Sequence, residues 1–232
     1  PPDMAFYFIK RQQNQKKRKE IDMYSNINIF VQLLSGILAF FMVAVCHEYT
    51  RAAISTVLGD VLPKNEKALT LNPLKHVEPV GAMFFIITYL LGYGAFGWSR
   101  AVNTSSLYYK KRKRDALLVA ILPTVANVIF AFAALILWKV VPYGNVVSTF
   151  LNTLVFYNVA FAICNCLPVP PMDCVKVLSL LLPANQYFKY MQYEKIIQAV
   201  FLVLLIFGVF RTILNTILML VVNAMNALLF FV

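Results

Sequence analysis

Charge is scarce in this chain. Asp, Glu, Lys and Arg make up 13% of its 232 residues and hydrophobic residues 60%, against the roughly 25% charge of a soluble domain. That balance excludes a water-soluble globular enzyme and implies a polytopic membrane protein. Histidine is scarcer still: there are two, His47 and His76, too few for a histidine-rich metal centre. The four cysteines, Cys46, Cys164, Cys166 and Cys174, lie in or near apolar segments. A disulfide framework would place them in polar loops, so free thiols are expected. No internal repeat is visible. No cleavable secretory signal is expected, because the N-terminus is polar and basic and no small-residue cleavage site follows the first apolar run. Polar residues inside the apolar runs are too few for a continuous pathway, which argues against a transporter or channel.

Four apolar runs are present, at 29–46, 116–141, 149–167 and 196–232. Each is long enough for a hydrocarbon core that takes about 20 helical residues. The net charge of +11 is concentrated at residues 10–19 (KRQQNQKKRK) and 110–114 (KKRKR). Both runs adjoin apolar segments, so membrane lipid headgroups are the expected partner. Nucleic acid is not, because no aromatic groove is interleaved with the charge. The chain divides into a basic polar leader, 1–28, expected as a surface segment or partly disordered, and an integral membrane domain, 29–232. Its first helix should end at Gly59-Asp60, where glycine supplies a left-handed cap. The apolar piece 82–91 spans only about 15 Å as a helix and is followed by Gly92, Gly94 and Gly97. A re-entrant hairpin shielded by neighbouring helices is expected there. The last run carries Arg211 in its interior and reads as one long tilted helix or two shorter segments.

The informative pattern is His47-Glu48-Tyr49-Thr50-Arg51 at the end of the first run. A polar pair inside hydrocarbon costs several kcal/mol unless partnered, and so marks a functional site. HExxH places two imidazoles at i and i+4 on one helical face to hold zinc, with the glutamate activating bound water. Here the second position is Arg51, a permanent cation that cannot ligate a metal. If a residue just past the 149–167 run, as Asp173 is, converges with His47, the two helices must run parallel, which requires 82–91 to be a hairpin rather than a crossing. That layout puts the two basic runs on opposite sides, against the positive-inside tendency.

Three separated stretches resemble the site-2 protease family of intramembrane zinc metalloproteases: His47-Glu48, residues 71–81 (LNPLKHVEPVG) and residues 167–173 (LPVPPMD). Residues 96–102 (FGWSRAV) and 123–127 (PTVAN) are similar to that family's FGWAKPV and GPLAN stretches. The resemblance covers about residues 46–183, in order. It implies an all-α helical bundle of about four to six membrane segments with a re-entrant hairpin. It further implies that His47 and Asp173 are zinc ligands and Glu48 the general base, with Arg51 standing where the second histidine belongs. Leu122 and Cys174 replace two glycines of the family's pattern.

On a helix Arg51 reaches both His47 and Glu48, and Asp173 is the natural carboxylate for it. An Arg51–Asp173 or Arg51–Glu48 bridge would replace the positive charge of zinc. The expected function is therefore a catalytically impaired homologue without a cofactor. It would bind transmembrane segments of partner proteins or serve as a subunit of a larger membrane complex. The alternative is an active zinc endopeptidase cutting transmembrane substrates, with Cys174 or Cys46 completing the ligand set. Asn127 is expected to face the site or pack between helices, and Asn158 and Asn165 likewise. His76 is expected to make a structural hydrogen bond. The host is a bacterial cytoplasmic membrane or an organelle membrane.

Overall fold

The computed structural model describes residues 2–90, 96–142 and 146–230. Among them run ten α-helices: α1 (Pro2–Val57), α2 (Leu62–Asn65), α3 (Pro73–His76), α4 (Pro79–Leu90), α5 (Arg112–Val140), α6 (Val146–Asn165), α7 (Asp173–Leu181), α8 (Ala184–Gln192), α9 (Glu194–Ile206) and α10 (Val209–Phe230). The described residues form no strand, only an isolated bridge between Val77 and Ser99. Among the described residues four helical stretches are long and apolar enough to cross a membrane: Ile29–Val57, Arg112–Val140, Val146–Asn165 and Thr212–Leu229. The chain is thus an all-α polytopic membrane protein, as its composition predicts. α1 continues without a break from the basic leader into the first span, so the change of composition at residue 28 falls inside one helix.

The centre of the bundle is α1, α5 and α6. Ala39, Ala131 and Ala134 are almost wholly buried and let the backbones approach, while Val43, Leu135, Val155 and Val159 fill the space between them. Lipid tails are as apolar as these side chains, so the bundle is held by close packing and interhelical hydrogen bonds rather than by escape from water. Gly36 lies against Tyr157 and, further along α1, His47 meets the ring of Phe161 at 5.1 Å. α1 and α6 therefore run parallel, as the convergence of His47 with Asp173 requires.

α1 ends at Gly59 with φ at 107°, the left-handed turn expected from its sequence. Next to it the buried Asp60 carboxylate accepts from Ser55 Oγ at 2.8 Å, Leu62 N at 3.0 Å and Ser105 N at 2.8 Å. Tyr109 OH lies 2.7 Å from Ser55 Oγ. This clasp ties the segment entering α5 to the end of α1.

The short apolar piece folds back as its length demands. α4 carries the chain out and an extended segment brings it back: Phe96 N donates to Thr88 Oγ1 at 3.0 Å, and Arg100 N to His76 O at 2.7 Å. Residues 91–95, which hold the expected turn glycines Gly92 and Gly94, lie outside the described residues. The two arms touch through glycine. A Cβ on Gly97 would stand 2.6 Å from Gly81 O, and one on Gly81 would overlap the Trp98 backbone. The 196–232 run resolves into two helices, α9 and α10, and the break is at Gly208 (φ 74°) rather than at Arg211, which sits in the first turn of α10. A charged residue is compatible with a helical turn, whereas a left-handed glycine ends one.

Because backbone lies on both sides of the glycine contact, neither arm can yield to a methyl group. Gly81→Ala should destabilise the protein by about 1–3 kcal/mol, read as a lower melting temperature in detergent or lipid. An unchanged melting curve would show that the arms separate freely.

Candidate functional site

Five of the residues singled out by sequence meet at one point. His47, Glu48 and Arg51 come from one face of α1, Asn127 from α5, and Asp173 from the first turn of α7. All five are buried, Asn127 completely. Parallel α1 and α6 deliver the end of α1 and the start of α7 to the same level. The proline-rich link, residues 168–171, then turns the chain so that Asp173 faces α1.

The proton positions follow from a chain of amides. Leu154 O is a backbone acceptor, so the group 2.8 Å from it is Asn158 Nδ2. Asn158 Oδ1 then accepts from Asn127 Nδ2 at 3.1 Å, which also donates to Val43 O at 3.3 Å. Asn127 is thereby left presenting Oδ1 to His47 Nδ1 at 3.1 Å, so Nδ1 carries the proton. A neutral His47 with that tautomer points the Nε2 lone pair at Asp173 and Arg51. Such a hydrogen bond to the far ring nitrogen is what orients an imidazole toward a cation.

The cation there is Arg51. Its Nη2 donates to Asp173 Oδ2 at 2.7 Å and to His47 Nε2 at 2.9 Å, with Glu48 Oε1 a third, more distant acceptor at 3.5 Å. His47 Nε2 and Asp173 Oδ2, only 2.8 Å apart, are thus two acceptors sharing one donor nitrogen. Arg51 Nε donates to Glu48 Oε2 at 3.0 Å. Both alternatives drawn from sequence, a bridge to Asp173 and one to Glu48, therefore form together. Arg51 Nη1 is buried without an acceptor among the described residues.

Glu48 is tied as firmly. Its Oε1 accepts from Ser99 Oγ at 2.7 Å and its Oε2 from Val102 N at 2.8 Å, so the return arm of the hairpin is fastened to α1 through this carboxylate. On the far side, Lys176 Nζ lies 3.1 Å from Asp173 Oδ1 and half in solvent. Asp173 N makes a long bond, 3.4 Å, to Asn165 Oδ1. Burial works against ionising Asp173, but the Arg51 charge beside it outweighs that cost and holds the carboxyl below its ordinary range. Two acids are thus matched by two cations.

The chain is 28% identical over 169 residues to the protein named "Putative zinc metalloprotease YwhC" of Bacillus subtilis (strain 168), across 69% of this chain and 74% of that one. The chain is metalloprotease-like. No family model matches it, and no solved structure does.

A structural test of zinc is then direct. Zinc takes three or four protein donors in a tetrahedral shell. Here two donor atoms, His47 Nε2 and Asp173 Oδ2, face the position between them, and a guanidinium nitrogen fills it. His47, Glu48 and Asp173 meet here, but among the described residues no group of three or more His, Cys, Asp and Glu is arranged to hold a metal ion. The residues present do not fit the ion. All four cysteines are free thiols, and burial pushes the Cys174 thiol above its ordinary value.

His76 is held apart from the site. Its buried ring donates Nε2–H to Thr70 O at 2.7 Å, the structural hydrogen bond expected of it. Ser99, the Val102 amide and Lys176 are site residues that sequence reasoning missed. Ser99 and Val102 lie in the FGWSRAV stretch that carries the resemblance, and that was the available signal. Lys176 offered none beyond its i+3 spacing from Asp173.

Removing the guanidinium would leave two carboxylates facing each other without their shared donor. Arg51→Ala should cost about 3–5 kcal/mol, measured as a fall in thermal stability of the purified protein in lipid. A melting temperature within a degree or two of the native chain would contradict the brace.

Proposed function

We propose that this chain is a site-2-protease-like membrane protein that has exchanged hydrolysis for binding. It takes transmembrane segments of partner proteins, as a regulator of another protease or as a subunit of a membrane complex. The observation that carries the reading is the placement of Arg51 Nη2 between His47 and Asp173, where a metal ion would need open ligands. A cation held covalently on α1 offers no exchangeable position for water, and both oxygens of Glu48 are already engaged by Ser99, Val102 and Arg51.

Two features support binding. Arg51 Nη1 holds N–H donors without an acceptor among the described residues, and a backbone carbonyl of an unwound partner segment would satisfy them. A buried donor left bare costs on the order of 1–3 kcal/mol, which such a contact would recover. Beside the site lies a groove of about 490 Å³ lined by Phe84, Phe96, Trp98, Met172, Phe201 and Leu202. Trp98 and Met172 directly precede Ser99 and Asp173 in the chain, so a segment in this groove lies next to the pseudo-site.

A second reading, an active zinc endopeptidase with Glu48 as general base, is favoured by the amide chain that still aims the His47 lone pair at the site. One experiment separates the two. The native chain should carry no stoichiometric zinc by metal analysis and leave a transmembrane reporter uncut, while Arg51→His should take up zinc that His47→Ala abolishes. Stoichiometric zinc on the native chain, lost with His47→Ala or Asp173→Ala, would instead establish the endopeptidase.

A further inference from the structure

The last membrane span is built unlike the others. Of its most apolar stretch, Thr212–Leu229, 11% is buried inside the chain, against 33 to 44% for the other three spans. One face of α10 accounts for that small share: Val222 and Met225 sit in the core, with Leu218 and Leu229 packed beside them. The rest of the helix looks outward.

What it shows is not uniformly apolar. Each residue advances about 100° around the axis, and on that wheel Thr212, Asn215, Thr216, Asn223 and Asn226 fall in a single arc that flanks the packed face. These are all the polar residues of the span. Thr212, Asn215, Thr216 and Asn223 are exposed. The side-chain amides of Asn215 and Asn223 have no hydrogen-bond partner among the described residues, and Asn226 Oδ1 is buried without a donor. A shallow groove of about 490 Å³ runs along Thr212, Asn215, Thr216, Met219, Leu220 and Asn223. Lipid cannot satisfy an amide, so a stripe of them on a spanning helix requires a polar partner at the same depth.

The spacing identifies the partner. Thr212, Thr216, Met219, Asn223 and Asn226 follow steps of four, three, four and three, the seam of a left-handed helix pair. Copies of one chain inserted the same way are necessarily parallel and in register, so each seam residue would meet its own equivalent. An asparagine amide is both donor and acceptor and pairs with itself across a two-fold axis. The seam carries no charge, so it calls for no oppositely charged partner. Asn223 occupies the kind of seam position at which a single asparagine fixes a parallel two-stranded register.

We infer that this protein is a homodimer in the membrane, joined by α10 against α10 through Asn223 and its flanking threonines. The inference is independent of the Arg51 site.

Oxidative cross-linking of the full chain in native membranes tests it. Thr216→Cys, Met219→Cys and Asn223→Cys should each give a disulfide-linked homodimer above the background of the unsubstituted chain, while Ile213→Cys, Ile217→Cys and Ala224→Cys on the lipid-facing side should not. Independently, Asn223→Leu should weaken association between labelled copies in vesicles about three- to thirty-fold, with Asn223→Gln retaining more of it. Equal cross-linking around the helix, adducts solely with a different polypeptide, or an Asn223→Leu variant that associates like the native chain would each overturn the inference.

Discussion

The guanidinium of Arg51 is the constraint around which the membrane domain is arranged. It is a fixed charge almost fully withdrawn from solvent, and burying it is tolerable only because Glu48, Asp173 and the His47 lone pair converge on it. Desolvating charges in hydrocarbon opposes folding, so the brace is better read as a device for specificity than as a source of net stability. Two of its partners, His47 and Glu48, share α1 with it and Asp173 comes from α7, but each of the three reaches a further element. Glu48 fastens the return arm of the hairpin, Asp173 starts α7, and His47 is braced by the amides of α5 and α6. One charge thereby sets how four elements meet.

On the proposed reading, the arrangement also explains how a metalloprotease-like scaffold would persist without an ion. An imidazole aimed by Asn127 and Asn158 and a carboxylate arriving from a proline-turned link are useful to any cation, whether bound or covalent. In that proposal, a cation carried on α1 keeps the electrostatic balance and removes the exchangeable position at which water would be activated. The groove between the hairpin, the proline link and α9 lies outside this exchange, since its lining is mostly apolar, with Lys195 and Gln198 from α9, and includes none of the residues around Arg51.

Sequence carried the architecture well where a length or a charge left one physical solution. A ten-residue apolar piece cannot cross a bilayer, and it folds back. Gly59 ends α1 because only glycine is at ease in its left-handed turn. Arg51 was legible because a cation at i+4 from a buried histidine must find acids, and both candidates proved to be used. Other features were not legible. The Ser99 and Val102 bonds to Glu48 depend on how far the return arm swings, and a serine or a backbone amide looks the same in any loop. The amide chain through Asn127 and Asn158 needs the crossing of α5 and α6, which no periodicity encodes. Arg211 drew notice as a charge in an apolar run, while the actual break, at Gly208, turned on backbone freedom.

The central claim is that a covalently held guanidinium does what a bound ion would otherwise do at this site. Thermal unfolding of the full chain in lipid, followed with added zinc and with a strong chelator, tests it most directly, because a ligand that binds only the folded state raises its stability with concentration. The melting temperature should be the same in both conditions. A midpoint that climbs with zinc and falls with chelator would show that the ion, and not Arg51, holds these helices together.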